Sequence, residues 1–262
     1  MTLVDISNWQ HPWPAERAKA DGVTQVIVGC QRPALARDMI VGSRNAGVDV
    51  LGVYAFLYWG TDTLGQTRSA IQVAKDLDIP WVWLDCEDSP DAIADLPVSQ
   101  RITELAHCVE AVEAEELNPG IYTGGPFWMS AMGNTSRFSY LPLWYANYGL
   151  VNNATTPPIQ NVSFGGWKDV AIHQFTSQYP AAGLLLDANY NFMEDDMAGI
   201  TREEFDALRA RCAQLETQVW GTPDVPRDKD HPYAGLNMYE LSAGRVAKGA
   251  PDHTHEVTVT LK

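Results

Sequence analysis

Asp85 and Glu87 close the apolar run Ile79-Pro-Trp-Val-Trp-Leu-Asp-Cys-Glu87 and stand two residues apart. In an extended strand that spacing turns both carboxylates to one face and sends Cys86 to the other. Two acids on one face repel each other, and the indoles of Trp81 and Trp83 thin the water around them. Both effects raise the pKa of one member toward neutrality, which is what a general acid needs. A carboxyl that donates a proton beside one that stays ionised suits the hydrolysis of a glycosidic bond. Two more acids end apolar runs in the same way, Asp5 after Thr2-Leu-Val and Asp187 after Leu184-Leu-Leu. An unpaired charge is costly to bury, so each of the four is solvated at its strand end, paired, or functional.

The elements that must position these acids alternate along the chain. Strands are predicted at 2–6, 24–30, 48–56 and 79–87, with helices at 14–21, 36–46 and 64–77 between them. A further helix carries Ile102, Leu105, Ala106, Val109 and Val112 at spacings of three and four, one buried face. Later strands are Gly120–Thr123, Leu143–Ala146, Val170–Phe175 and Leu184–Asp187. These runs are apolar on both faces, as parallel strands covered by helices are. About eight strands, mostly separated by helices, predict an α/β chain closed as a β/α barrel of the TIM type. An open doubly wound sheet is the competitor, but no GxGxxG follows any strand. In a parallel barrel the site lies at the C-terminal ends of the strands, where all four acids fall.

Composition removes other classes. Thirty-three Asp and Glu against 18 Lys and Arg leave a net charge of −15 in 262 residues, which excludes a phosphate-backbone binder, so no nucleic-acid partner is expected. No run approaches the roughly 20 apolar residues of a membrane span, and Met1-Thr-Leu-Val-Asp5 does not have the features of a signal peptide. Cys30, Cys86, Cys108 and Cys212 are scattered and read as reduced and structural. His253 and His255 share a face of a predicted strand, but two histidines without a third ligand do not close a metal site, and no metal or cofactor is expected. His173 reads as a core residue and His11 as a loop residue. Nine Trp and ten Tyr outnumber seven Phe, a usage that suits sugar faces as well as cores.

Seven blocks carry a family resemblance: Val4-Asp-Ile-Ser-Asn-Trp-Gln10, Gly52-Val-Tyr-Ala-Phe56, Trp83-Leu-Asp-Cys-Glu-Asp88, Pro119-Gly-Ile-Tyr-Thr123, Leu143-Trp-Tyr-Ala-Asn147, His173-Gln-Phe-Thr-Ser177 and Leu186-Asp-Ala-Asn189. In this order across residues 1–199 they resemble glycoside hydrolase family 25. The resemblance implies a flattened β/α barrel and N-acetylmuramidase (lysozyme) activity on bacterial peptidoglycan. It places Glu87 as general acid/base, Asp85 as the carboxylate that stabilises the oxocarbenium-like transition state, and Asp5 and Asp187 as the acids completing the site. Asp187 has two roles open to it, orienting Glu87 or holding the substrate's acetamido group. A direct carboxylate nucleophile and acetamido assistance both stay open. Tyr54, Tyr122 and Trp144 are expected to line the sugar groove; alternation lets Trp144 or Tyr145 face the lumen, not both. Gln174 is placed to bind sugar or to serve structure.

The chain changes character after Gly199. Thr201 and Glu204 form a capping box, and Phe205, Leu208, Cys212, Leu215 and Val219 give a helix over 200–220 with a narrow apolar seam, docked on the barrel or self-associating. Residues 221–262 read as a linker and a small β appendage ending in alternating His255–Leu261. No wall-binding repeat is present in the sequence. Three settings fit: a phage endolysin in the host cytoplasm that reaches the wall through another protein's pore, an enzyme held in a virion or a homo-oligomer through 200–262, and a non-enzymatic glycan-binding barrel. The retained DxE counts against the last. A chitinase-type barrel is the enzymatic alternative, but its DxxDxDxE pattern needs Asp where Trp83 stands.

Overall fold

The computed structural model describes residues 2–88, 96–149 and 158–193. The expectations for 200–220 and 221–262, including Cys212, His253 and His255, lie outside these residues. The described chain runs β1 (Thr2–Ile6), α1 (Ala15–Ala20), β2 (Val23–Gly29), α2 (Pro33–Asn45), β3 (Asp49–Phe56), α3 (Thr63–Asp76) and β4 (Trp81–Cys86). It continues as α4 (Val98–Ala114), β5 (Asn118–Gly124), α5 (Gly125–Ala131), β6 (Leu143–Ala146), β7 (Ile172–Ala181) and β8 (Leu184–Asn191). The eight strands close into a barrel in sequence order. No described helix is long and apolar enough to cross a membrane.

Local sequence explains the helices that wrap the strands. Pro33 opens α2, where its missing N–H costs nothing. The Asp62 carboxylate caps α3 by accepting from the Gly65 N–H at 2.9 Å. Ala70, Ile71, Val73 and Ala74 of α3, and Leu105, Cys108, Val109 and Val112 of α4, then bury against the outer barrel wall. Cys30, Cys86 and Cys108 are buried and free within that layer.

One expectation is corrected. The strands from β1 through β7 pair in parallel, but β8 runs antiparallel to both β7 and β1. Only residues 176–183 separate Phe175 from Leu184, fewer than the dozen or so that a parallel crossover requires. The chain instead turns through Ala182 and Gly183, at φ 57° and 76°, a two-residue hairpin with both positions left-handed. Its tip is tied down by the Ala182 N–H, which donates to Asp21 Oδ2 at 2.7 Å just beyond α1.

Inside the barrel a second core is mainly aromatic. Trp81, Trp83, Trp144, Tyr54 and Tyr122 meet there with Leu3, Ile27, Ile172 and Met193. Trp81 stacks on Trp83 at 5.7 Å, and Tyr122 meets Trp144 edge-on at 4.7 Å. Such rings fit a small barrel only if neighbouring strands give way. Gly120, opposite Trp83 in the β4/β5 register, does so: a Cβ at this position would lie inside the contact envelope of the Trp83 ring. Gly120→Ala is therefore expected to destabilise by roughly 1–3 kcal/mol through overpacking. Gly42→Ala, on α2 with open space around the added methyl, is expected to stabilise by about 0.5–1 kcal/mol. Thermal melts of the two variants should move in opposite directions.

Candidate active site

The strand alternation that buries the inner rings also places acids one layer nearer the barrel mouth. Asp85 follows Trp83 by two residues on β4, and Asp5 follows Leu3 by two on β1. Asp187 is reached differently. It lies within β8 rather than at a strand end, and because β8 is reversed it pairs directly opposite Asp5. Antiparallel partners project to the same face, so the reversed strand delivers its acid to the same mouth. Glu87 is the first residue beyond β4. Its carbonyl accepts from the buried Trp59 Nε1–H at 3.2 Å, and the preceding Cys86 carbonyl accepts from Thr123 Oγ1 at 2.7 Å. The backbone that carries Glu87 is thus held from two neighbouring elements.

Asp5 and Asp85 are buried, whereas Glu87 and Asp187 are half-buried at the rim. Oδ1 of Asp85 is buried without a hydrogen-bond partner. Asp5 is better satisfied: its Oδ1 accepts from Gln174 Nε2 and from Asn189 Nδ2, each at 2.9 Å. Burial raises all four carboxyls, and their mutual repulsion raises three of them further. Asp5 is pushed up by burial and then by Asp187, against the pull of its two amide donors. Asp85 is pushed up by burial, then by Glu87, Asp5 and Asp187. Glu87 is brought to about 7 by burial, Asp187 and Asp88, and Asp187 to about 6 by burial. Among the described residues no cation acts on the four.

The four acids expected from the sequence are therefore brought together. Tyr54 and Tyr122 border them. Burial first, and then acids of this cluster, push both phenols up. Trp144 faces the lumen, but at 1% exposure it is part of the floor and not a groove wall. Its ring is walled in by Tyr54, Trp83 and Tyr122, and its Nε1–H donates to Asn189 Oδ1 at 2.7 Å. Gln174 is buried too, and its amide is taken up within the protein: Nε2 donates to Asp5, and Oε1 accepts from the Tyr122 and Tyr148 hydroxyls at 2.8 Å each. His173 is core, accepting from the Ile159 N–H at Nδ1 and contacting the Asn147 carbonyl through Nε2.

Sequence reasoning missed three residues. Tyr148 is half-buried, and its phenol is pushed up by burial and then by Asp187, Asp5 and Glu87. Asn189 was visible as the residue two beyond Asp187, hence on its face. Trp9 is 86% exposed on a short 3₁₀ turn at Asn8–Gln10 that follows Asp5 at the end of β1. A reciprocal cap braces this turn: the Trp9 N–H donates to Ser7 Oγ and the Ser7 N–H to Gln10 Oε1. Among the described residues no three His, Cys, Asp or Glu are arranged to hold a metal ion.

Comparison with known proteins adds a family. The model of glycosyl hydrolases family 25 matches residues 4–184. Counting factor 50 of Dictyostelium discoideum is 25% identical over 158 residues, 58% of this chain and 51% of that protein. The chain thus spans about half the length of this curated relative. Probable GH family 25 lysozyme 2 of the same organism is 26% identical over 155 residues, 58% of this chain and 69% of the relative. Among solved structures, a muramidase from Trichobolus zukalii superposes with a TM-score of 0.56 at 20% identity, covering 85% of this chain and all of that one. At that identity the likeness shows the fold.

The acid cluster has a cost in stability with a definite sign. A carboxyl whose folded pKa is raised binds its proton more readily folded than unfolded. Its contribution is therefore favourable at low pH and is lost as pH rises from the ordinary carboxylate range through the folded value, about 6 for Asp187 and about 7 for Glu87. Asp85→Asn removes one charge from the cluster and is expected to raise Tm at pH 8 relative to the parent. The gain should shrink steadily as pH falls toward the ordinary carboxylate range. His173, kept neutral by burial, loses stability at the acid end, but it does so in both proteins and cancels in the difference. Melting curves of the two proteins across pH 4.5–8 measure this.

Proposed function

Because the chain belongs to glycosyl hydrolases family 25, and is by family a glycoside hydrolase, we propose that it is a lysozyme. The bond cut is that between N-acetylmuramic acid and N-acetylglucosamine in peptidoglycan, with Glu87 as general acid and then general base. The observation that carries the reading is Glu87 at the rim, brought to about 7 beside three further acids. A carboxyl titrating there is protonated often enough near neutral pH to donate to a leaving oxygen, and ionised often enough to take a proton from water in the return step. The other three acids, to the extent that they are ionised, supply a negative potential, and among the described residues no cation acts on them. Positive charge grows on the sugar as the bond breaks, so that potential favours the transition state over the neutral substrate. Asp85, buried with one oxygen unpartnered, is the acid assigned to this stabilisation. The names of the lysozyme relative and the muramidase support the substrate class.

The sugar groove follows from the same placement. With Trp144 in the floor, the aromatic surface left for a glycan lies at the rim, and Trp9 offers an exposed indole on a braced turn. Phage-borne lysis from the host cytoplasm, and assembly in a virion through 200–262, are proposals for the setting of this activity. The motive is the sequence pattern alone, and the mass of the intact protein in solution separates monomer from oligomer.

Glu87→Gln keeps shape and volume but can neither donate nor accept the catalytic proton. It is expected to cut the release of new reducing-end muramic acid from purified peptidoglycan by roughly 10²–10⁴-fold, with a melting temperature no lower than the parent's and glycan binding retained. Borohydride reduction and mass spectrometry of the fragments read this directly, and near-parental release would remove Glu87 from the role. Trp9→Ala is expected to raise KM several-fold while kcat holds; an unchanged KM would place the groove elsewhere.

A further inference from the structure

An indole N–H can only donate, so it fixes the orientation of any amide it meets. Trp144 Nε1 lies 2.7 Å from the Asn189 side-chain oxygen, and this leaves the Asn189 nitrogen turned to Asp5 Oδ1 at 2.9 Å. Gln174 reaches the same oxygen with its own nitrogen, its oxygen engaged by the hydroxyls of Tyr122 and Tyr148. Asp5 Oδ1 therefore faces two N–H donors and has no room for a proton of its own. All of these side chains except that of Tyr148 are buried, so no solvent exchange loosens the arrangement. We propose that Asn189 is a positioning residue: locked by Trp144, it commits Oδ1 of Asp5 to accepting and confines any proton that Asp5 takes to Oδ2.

The consequence reaches the reaction through Asp187. Asp5 and Asp187 are direct partners across β1 and β8. The groups that act on Asp5 from other elements are acidic or neutral: Asp187 and Asn189 on β8, Asp85 on β4, Tyr54 on β3, Tyr122 on β5, Gln174 on β7 and Tyr148 after β6. With one oxygen of Asp5 fixed as acceptor, only the other is free to share a proton within this cluster. Free rotation of Asp5 would scramble that assignment; the Trp144–Asn189 lock prevents it.

The inference rests on the lysozyme reading for its kinetic test, and a spectroscopic test stands apart from it. Asn189→Asp keeps the oxygen that faces Trp144 and replaces the donor that faces Asp5 with an oxygen. Protonated, the new carboxyl donates to Asp5 as the amide did; ionised, it repels Asp5. Peptidoglycan hydrolysis by Asn189→Asp is expected within a few-fold of the parent at pH 5 and reduced by about tenfold or more in kcat at pH 8, with KM little changed. Asn189→Leu is expected to be reduced at every pH. A loss by Asn189→Asp that is the same factor at each pH would mean that Asn189 only fills space and would overturn the proposal.

The second measurement is ¹³C-carboxyl titration of Asp5, assigned with Asp5→Asn, in the parent, Asn189→Leu and Trp144→Phe. The midpoint is expected to rise in both variants, more in Asn189→Leu, because a donor to the carboxylate is removed or released. An unchanged midpoint in both overturns the proposal. Should the parent release no fragments from any wall, the lysozyme reading fails while this titration still decides the role of Asn189. Should Asn189→Leu not fold, Trp144→Phe, which leaves Asp5 and Asn189 in place, carries the test.

Discussion

Four carboxylates gathered at one mouth, with no counter-charge among the described residues that act on them, are what the rest of this structure has to accommodate. Each would be stable on the surface, and together over an apolar floor they are not. Asp5, Asp85, Glu87 and Asp187 are all raised, and the causes are burial and one another. A lysine beside them would relieve the repulsion and would also cancel the negative field that the proposed mechanism uses. The fold keeps the repulsion and offsets it elsewhere, with an outer core of helices packed on every covered strand and an inner core of five large rings.

The barrel makes that arrangement possible through a period of two. On β4 the sequence Trp81, Trp83, Asp85 climbs one inward face from floor to mouth, while Val82, Leu84 and Cys86 pack outward against the helices. On β8 the same climb runs in reverse, from Asn191 through Asn189 to Asp187, because the strand descends where its neighbours rise. The polar amides on that strand lie beneath the acid instead of rings. Asn189 is what lets a polar strand adjoin an aromatic floor: it satisfies the Trp144 indole on one side and Asp5 on the other.

Much of this was legible in the sequence, and particular residues show why the rest was not. Asp5, Asp85 and Glu87 stood out because a charge that ends an apolar run has few explanations. The direction of β8 was written in the chain but went unread: the eight residues between Phe175 and Leu184 are too few for a crossover helix. Asp187 ends the apolar run Leu184-Leu-Leu, but β8 continues to Asn191, and on a barrel lumen Asn189 and Asn191 are inward positions of that longer strand. Alternation leaves the lumen face to Trp144 or Tyr145, and the structure gives it to Trp144, deep in the floor. Alternation gives the face of a residue, whereas depth depends on which neighbours close over it, here Tyr54, Trp83 and Tyr122. Tyr148 carries no local signal, since its place in the site depends on Gln174, 26 residues further along the chain.

The division of labour proposed for Asp85 and Glu87 follows from depth more than from residue type. Both are raised and both face the mouth, so a pKa criterion alone does not separate them. A general acid that becomes a general base must give up its proton and recover it in each turnover, and that requires water to reach it. Glu87, one residue beyond the strand and half-buried, meets that requirement. Asp85, within the strand and 6% exposed, does not. What depth gives Asp85 instead, on the proposed reading, is a low-dielectric setting in which its charge, once ionised, would act strongly on a cation formed above it. One residue of chain past the end of β4 thus separates the residue proposed as proton carrier from the one proposed as its electrostatic partner. The clamp on the backbone there, Trp59 on the Glu87 carbonyl and Thr123 on the Cys86 carbonyl, holds the two side chains at these different depths.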